Sequence, residues 1–172
     1  LKSLFKCVFN YKKLVHLLKN KYLMKKILIG LLVVLVAIQF FQIDKTNPVA
    51  DEKLDFLVMN NTPPEIASQI QASCYDCHSN KSNYPAYTYV QPVGWFVKNH
   101  IEEGKEHLNF SEFGNYSAKK QAHKLEESYE MIEKGEMPLS SYTIIHKEAV
   151  LDEAQQTALI NYFKEIEKKI KE

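Results

Sequence analysis

One stretch of this chain carries no charge, and it limits what the rest of the chain can fold into. Residues 27–41 read ILIGLLVVLVAIQFF, with Gln39 as the one polar side chain. As a helix this stretch is about 22 Å long, against a bilayer core of ~30 Å, and Gln42 and Ile43 extend it slightly. It predicts either a cleaved signal peptide or an uncleaved transmembrane anchor over residues 27–43. The anchor is favoured, because the residues after Ala37 are too large for a typical cleavage site.

The charged residues are divided unevenly by this stretch. All 22 basic residues of the 172-residue chain are Lys, and eight of them precede residue 27 with no acid among them. Residues 44–172 hold the other 14 Lys and all 21 acidic residues. Because basic flanks stay in the cytoplasm, this part is expected on the periplasmic side of the inner membrane. Its acidic balance argues against a nucleic-acid-binding protein.

Four segments follow from these patterns. Residues 1–26 form a basic cytoplasmic tail, and residues 27–43 form the anchor. Met24-Lys25-Lys26 is typical of a signal start, which suggests that residues 1–23 are not translated; a real basic tail or surface helix is the alternative. Residues 44–62 are expected to be a tether, because Pro48 and Asn60-Asn61 interrupt any long helix. Residues 63–172 form the folded domain.

The folded domain is predicted to be all-α, because its periodic stretches are helical. A first helix is expected to begin with Thr62 as its N-cap. Further helices are predicted over residues 93–108, from Ser117 to Lys134 with a stop at Gly135, and after Asp152.

The residues that carry chemistry are Cys74-Tyr75-Asp76-Cys77-His78, a C-x-x-C-H sequence. This is the pattern of c-type haem attachment. Two thiols three positions apart reach the two vinyl groups of one porphyrin, and His78 follows as the proximal iron ligand. Three alternatives are weaker. A thioredoxin-like site needs a βαβ context, a zinc site needs four ligands, and a disulfide leaves His78 unexplained. One covalent haem c per chain is therefore expected.

The sixth iron ligand is predicted to be Met137. It follows the helix stop at Gly135, and Pro138 holds it extended in a loop. His100 is the alternative distal ligand, and an open position is a third reading. Other Met and His residues outside the anchor are expected to pack, cap or face solvent: Met59, Met131, His107, His123 and His146. A His/Met pair raises the reduction potential, whereas a second His would lower it.

The order of these features resembles class I cytochromes c: a helix leading into C-x-x-C-H, a distal Met-Pro, and a C-terminal helix. The runs CYDCHSNKSNYP, PVGWFVKNHIEEGKEHLNFSEF and EMPLSSYTIIHKEA resemble more closely the haem-binding domain family of small membrane-anchored bacterial proteins. This resemblance covers about residues 63–162. The resemblance to class I cytochromes c implies that the first and last helices clasp the haem. It also implies that His78 donates its second ring N–H to a carbonyl in a Pro-containing loop, at Pro85 or Pro92.

The resulting prediction is a membrane-anchored mono-haem cytochrome that carries single electrons in the periplasm. Its redox partner proteins are not named by the sequence. The alternative is a haem-based sensor or peroxidase-like protein with an open or displaceable sixth ligand. No general acid/base pair stands out, so electron transfer is favoured over an enzymatic role.

Overall fold

A computed structural model describes residues 20–172 of the chain. The first 19 residues of the predicted basic tail, with Cys7, lie outside the described residues. Residues 20–172 form helices, turns and loops and contain no strand, so the predicted all-α class is confirmed. The α-helices, numbered along this part of the chain, are α1 Lys21–Ile38, α2 Phe56–Met59, α3 Pro64–Ile70, α4 Asp76–His78, α5 Val93–His107, α6 Ala118–Glu133, α7 Ser140–Thr143 and α8 Glu153–Lys171. Short 3-10 helices lie at Glu52–Leu54, Ala86–Tyr89, Phe110–Asn115 and Lys147–Ala149.

The described chain divides into two compact units. The first contains the described residues up to Ile43 together with Ala86–Trp95. Within it, the Gln39 side chain donates to the carbonyl of Gln91 at 3.0 Å and accepts from the Gln91 N–H at 2.9 Å. The one polar side chain of the apolar stretch therefore pairs with the backbone of residue 91, which satisfies its amide.

The membrane-spanning helix expected over residues 27–43 is not found. None of the helices between residues 20 and 172 combines the length and the apolar character that crossing a membrane requires. Helix α1 begins at Lys21, carries Lys25 and Lys26, and ends at Ile38. Its charged first turns and early end account for the difference from the sequence-based expectation.

The second unit contains Asp44–Pro85 and Phe96–Glu172 and holds the hydrophobic core. Phe56, Phe110, Phe113 and Phe163 are fully buried and contact one another edge-on or tilted around Phe56. Phe56 belongs to residues 44–62, which the sequence predicted to be a tether. The structure differs, because Phe56 and its neighbour Leu57 supply buried apolar surface to the core.

The helices of this unit follow their predicted signals closely. Ser117 caps α6, Gly135 follows it with a φ of 68°, and Asp152 forms a capping box at the start of α8. Helices α6 and α8 pack against each other through Leu125, Ile132, Leu159 and Phe163, among other buried residues. The predicted cap at Thr62 is wrong by one residue. Pro63 is the N-cap of α3, and the Thr62 hydroxyl is instead 2.7 Å from that of Tyr162 on α8.

Candidate functional site

The C-x-x-C-H sequence lies at the end of one continuous helical segment. Helix α3 continues through a π-helical turn over Gln71–Tyr75 into α4, and Ser79 ends the segment in an extended conformation. We call residues Pro64–His78 the motif segment. Single π-turns inside helices are frequent at functional sites, because the extra residue shifts the side chains that follow. Here the π-turn carries Cys74, and the next turn carries Cys77 and His78.

Both cysteines are free thiols and half-buried. Burial raises the pKa of the Cys74 thiol to about 12, and the neighbouring Cys77 adds to the effect. Burial also raises the pKa of Cys77 to about 11, with a contribution from the Asp76 carboxylate. Both groups are therefore neutral thiols at physiological pH in the folded chain, and their pKa values are the opposite of those of an activated nucleophile.

The His78 imidazole is held by one backbone carbonyl. Its Nδ1 donates to the carbonyl oxygen of Leu108 at 3.1 Å, which fixes the tautomer and leaves Nε2 with a free lone pair. Burial lowers the pKa of His78, partly offset by the nearby carbonyls of Leu108 and Gly104. A neutral imidazole with one nitrogen committed to a carbonyl is the usual arrangement of a metal-binding histidine.

The source of this carbonyl corrects the expectation from the sequence. The role was assigned to a loop containing Pro85 or Pro92, but Leu108 fills it. Helix α5 ends at His107, so the carbonyls of its last turn lack partners within the helix. Leu108 lies just past this helix end, where its carbonyl also has no partner within the helix, and His78 satisfies it.

Gly104 allows α5 to approach the motif segment. A Cβ atom at this position would lie 2.7 Å from the carbonyl oxygen of Cys77 and 3.2 Å from its Cβ. The sequence analysis did not identify this residue. The signal in the sequence was a glycine inside a predicted helix. Glycine is unfavourable there, so its presence can indicate that another backbone packs closely against the helix.

A buried carboxylate anchors the other side of the motif segment. Asp55 is 1% exposed and accepts from the Tyr75 hydroxyl at 2.8 Å and from the Lys81 ammonium at 3.1 Å. It also accepts from the Leu57 N–H, and so caps α2. The pKa of Tyr75 is raised strongly, first by burial and then by this hydrogen bond. The sequence analysis missed Asp55, because it lies in the segment taken for a tether.

Met137 lies just after α6, in the loop predicted for it. It is half-buried, and its N–H donates to the Met131 carbonyl at 3.2 Å. The residues that follow reach the motif segment. The Tyr142 hydroxyl donates to the Asp76 carboxylate at 2.8 Å, and Ser73 donates to the Ala149 carbonyl at 3.2 Å. We call residues 137–150 the distal segment.

His100, the alternative distal ligand, makes its contacts within α5. Its Nδ1 lies 2.9 Å from the Phe96 carbonyl, and its ring packs on the Phe96 ring with centroids 4.2 Å apart. Of the other histidines, His107 is exposed, and His123 is exposed and pairs with Glu127.

His146 differs from the surface role expected for it. Its side chain is 11% exposed, its ring stacks on Tyr142 at 4.2 Å, and its Nδ1 is 3.0 Å from Glu148. The stacking places this histidine beside the tyrosine that bonds to the motif segment. Sequence spacing could not show this, because Tyr142 and His146 are brought together by a short helix, α7, that was not predicted.

The donor set fits a covalently held haem. Two free thiols are three positions apart, the adjacent imidazole keeps Nε2 available, and the distal segment presents unpartnered apolar side chains. Ile144 and Ile145 are 68% and 59% exposed. Among the described residues, no cluster of three or more His, Cys, Asp or Glu has the geometry of a metal-ion site. Two thiols and one imidazole are the groups that would attach to a porphyrin's two vinyl groups and its iron.

Comparison with known proteins gives one match. A family model described as a haem-binding domain matches residues 33–165, which is more than half of the chain and includes both the motif segment and Met137. No curated protein and no solved structure matches the chain.

Proposed function

We propose that this chain, which belongs to the haem-binding domain family, holds one covalent haem c and carries single electrons. Cys74 and Cys77 would form the thioether bonds, and His78 would be the proximal iron ligand. The observation that carries the proposal is the His78 ring. Its Nδ1 is committed to the Leu108 carbonyl, so Nε2 is the nitrogen left for iron, beside two free thiols. If Cys74 and Cys77 formed a disulfide instead, the held His78 ring would have no role.

Thioether attachment needs no reactant beyond the two thiols and the two vinyl groups of the porphyrin. Each thiol adds across one vinyl group, so that a carbon–sulfur bond forms and the thiol hydrogen passes to the other vinyl carbon. No oxidant is consumed, and the product is a thioether. When bound, haem supplies a one-electron Fe(III)/Fe(II) couple.

The burial of the thiols bears on when attachment takes place. Both are half-buried with raised pKa values, and Gly104 packs directly on Cys77. We expect the thioethers to form before α5 closes on the motif segment, because the packed segment restricts access to both sulfurs. The folded domain would then assemble around the attached group.

Met137 is the proposed sixth ligand. Support comes from its position at the start of the distal segment, which bonds to the motif segment through Tyr142 and Ser73. A thioether sulfur opposite an imidazole raises the reduction potential, as suits an electron carrier that works between other redox proteins. His100 is the weaker choice, since its ring packs against Phe96 of its own helix.

We place the haem domain in the periplasm. Support comes from the eight Lys, with no acid among them, that precede the apolar stretch. Association with the inner membrane remains a prediction from residues 27–43. Fractionation of cells that express the full chain tests both, by the compartment in which the haem-stained protein is found.

A visible spectrum tests the haem proposal. The full chain would be expressed with and without a haem-c maturation system, and spectra would be recorded oxidised and dithionite-reduced, with haem staining after denaturing electrophoresis. We expect haem that survives denaturation, a low-spin spectrum, and the weak far-red sulfur-to-iron band of a ferric His/Met centre. Absence of covalent haem after co-expression with the maturation system would overturn the proposal.

The same spectrum separates the competing ligand sets. A low-spin spectrum without the far-red band would point to His100 or another histidine. A high-spin spectrum, with carbon monoxide binding to the ferrous form under native conditions, would favour the sensor or peroxidase-like alternative.

A further inference from the structure

We infer that Asn80 and Asn109 form a positioning pair for the proximal ligand and thereby help to set the reduction potential. The inference rests on the proposed function, since it takes His78 to be that ligand. The Asn109 side chain donates from Nδ2 to Oδ1 of Asn80 at 2.9 Å. We call these two residues the asparagine pair.

The asparagine pair joins the same two segments as the His78–Leu108 hydrogen bond. Asn80 lies two residues after His78, and Asn109 directly follows Leu108. The two cross-links are therefore neighbours, one from an imidazole to a carbonyl and one between two amides. Fixing one limits how far the other can lengthen, because only Ser79 separates His78 from Asn80, and Leu108 and Asn109 are adjacent.

Both asparagines are buried, and each side-chain amide nitrogen and oxygen has a hydrogen-bond partner. Asn80 is 4% and Asn109 is 7% exposed. Asn80 Nδ2 donates to Glu112 at 3.1 Å, and its backbone N–H donates to the Ser111 hydroxyl at 3.1 Å. Asn109 Oδ1 accepts from the Ser111 N–H at 3.1 Å, and its own N–H donates to the Tyr116 hydroxyl at 3.0 Å. A connected and satisfied buried network of this kind favours a single geometry.

This geometry acts on the iron through the imidazole. A short Nδ1–H to carbonyl bond raises the basicity of the ring, which stabilises the ferric form and lowers the potential. If the asparagine pair is broken, the Leu108 carbonyl gains freedom relative to the ring and the Nδ1 hydrogen bond weakens on average. The reduction potential should then rise.

Three substitutions separate this role from simple support of the fold. Asn109→Ser keeps an N-cap oxygen for the Ser111 N–H but is too short to reach Asn80. Asn80→Ser breaks the pair from the other side, also removes the hydrogen bond to Glu112, and leaves the Asn109 cap intact. Asn109→Ala removes both the pair and the cap. All three are neutral, so no new charge confounds the potential. The matched control is Asn83→Ser, an exposed asparagine in the same loop as Asn80.

The experiment is a redox titration of the full holoprotein with each variant. We expect both serine variants to change the ferric-to-ferrous ratio at a given potential by up to about tenfold toward ferrous, which is about 59 mV for a one-electron couple. The double serine variant should shift no further than either single one, since both remove the same contact. Asn109→Ala should match Asn109→Ser in potential and melt at a lower temperature, and Asn83→Ser should equal the native protein.

A second measurement reports on the ring itself. Exchange of the His78 Nδ1 proton with solvent, followed by NMR in the ferrous protein, should be about tenfold faster in the serine variants. Unchanged potentials in haem-loaded serine variants, additive shifts in the double variant, or a shifted potential with unchanged exchange would each overturn the inference. If one serine variant binds little haem, the other alone tests the inference. Failure of the proposed function is distinct, because native protein would then carry no covalent haem.

Discussion

The two sides of the candidate haem site are built differently. On the proximal side, His78 is bonded to Leu108, and Gly104 brings α5 against Cys77. Ser79 and Asn80, the two residues that follow His78, are buried. The distal segment bonds to the motif segment through the Tyr142 hydroxyl and the Ala149 carbonyl, and it exposes Ile144, Ile145 and Val150. A region with few buried contacts opens at lower free energy than a packed one. For the proposed ligands, the comparison predicts a rigidly held His78 and a Met137 that the chain can release more readily.

The largest effect is expected from removing both points of attachment. Cys74→Ala with Cys77→Ala should abolish haem that survives denaturation, and both sides of the site should lose the group they are built around. We expect the variant to unfold with low cooperativity, because the proposed haem would form part of the core. Thermal unfolding followed by circular dichroism measures this. A cooperative transition at the native temperature would contradict the view that haem completes the fold.

Removing Met137 should alter the distal side alone. Met137→Ala is expected to keep covalent haem, to lose the far-red band completely, and to bind carbon monoxide in the ferrous form. The reduction potential should fall, because the thioether ligand that raises it is gone. Visible spectroscopy and a redox titration measure both effects.

Met131→Ala is the control for this substitution. Met131 is also half-buried, and its carbonyl, which accepts from the Met137 N–H, is unaffected by the change. Its spectrum should equal that of the native protein. A far-red band that persists in Met137→Ala would remove Met137 as the ligand.

A methyl group added on the proximal side tests how tightly that side is packed. Gly104→Ala places a Cβ 2.7 Å from the Cys77 carbonyl oxygen. The oxygen belongs to the backbone of α4 and the Cβ is fixed to that of α5, so neither can move aside easily. We expect a loss of about 1–3 kcal/mol in the free energy of unfolding, typical of overpacking. Denaturant unfolding of the holoprotein measures it. Gly30→Ala, where no atom lies within 4 Å, should leave the haem-domain transition unchanged. Equal stability of the two variants would contradict the close approach.

The smallest effect is expected from removing the hydrogen bond between Tyr142 of the distal segment and Asp76 of the motif segment. Tyr142→Phe removes the donor to Asp76 and should cost about 1 kcal/mol, since both partners are only half-buried. On the proposed ligation, carbon monoxide binds the ferrous native protein only slowly, when Met137 leaves the iron. Because the bond holds the distal segment, this slow binding should become a few-fold faster in the variant. Stopped-flow mixing measures this rate.

Tyr84→Phe is the matched control for that substitution. Its hydroxyl is buried and, within the described residues, has no hydrogen-bond partner, so its removal should be neutral or slightly stabilising. If Tyr142→Phe and Tyr84→Phe bind carbon monoxide at the native rate alike, the Tyr142–Asp76 bond does not hold the distal segment.

Local signals in the sequence predicted the main helices well. Ser117, Gly135 and Asp152 act over a single turn, and all three have the predicted roles at the ends of α6 and α8. The membrane-spanning helix expected over residues 27–43 is not found. The expectation rested on the apolar residues from Ile27 onward. The observed helix begins six residues earlier, includes three Lys, and ends at Ile38.

Residues whose roles depend on distant partners could not be predicted. In the sequence, Asp55 is one of several acids in a stretch that contains Pro48 and Asn60-Asn61. In the structure it is buried and bonded to Tyr75 and Lys81. The carbonyl that accepts from His78 was expected in the loop of Pro85 or Pro92, 7 or 14 residues after His78. It comes from Leu108, which is 30 residues away.

The sequence by itself determined the helical class, the main helix ends and the C-x-x-C-H group, because each depends on residues within a turn or two of one another. The tertiary structure alone decided which carbonyl fixes the His78 tautomer, which glycine admits α5, and which asparagines hold the two segments together. These contacts join residues about 30 positions apart. They depend on how helices pack, and backbone carbonyls and buried amides leave no periodic pattern in a sequence that would reveal their partners.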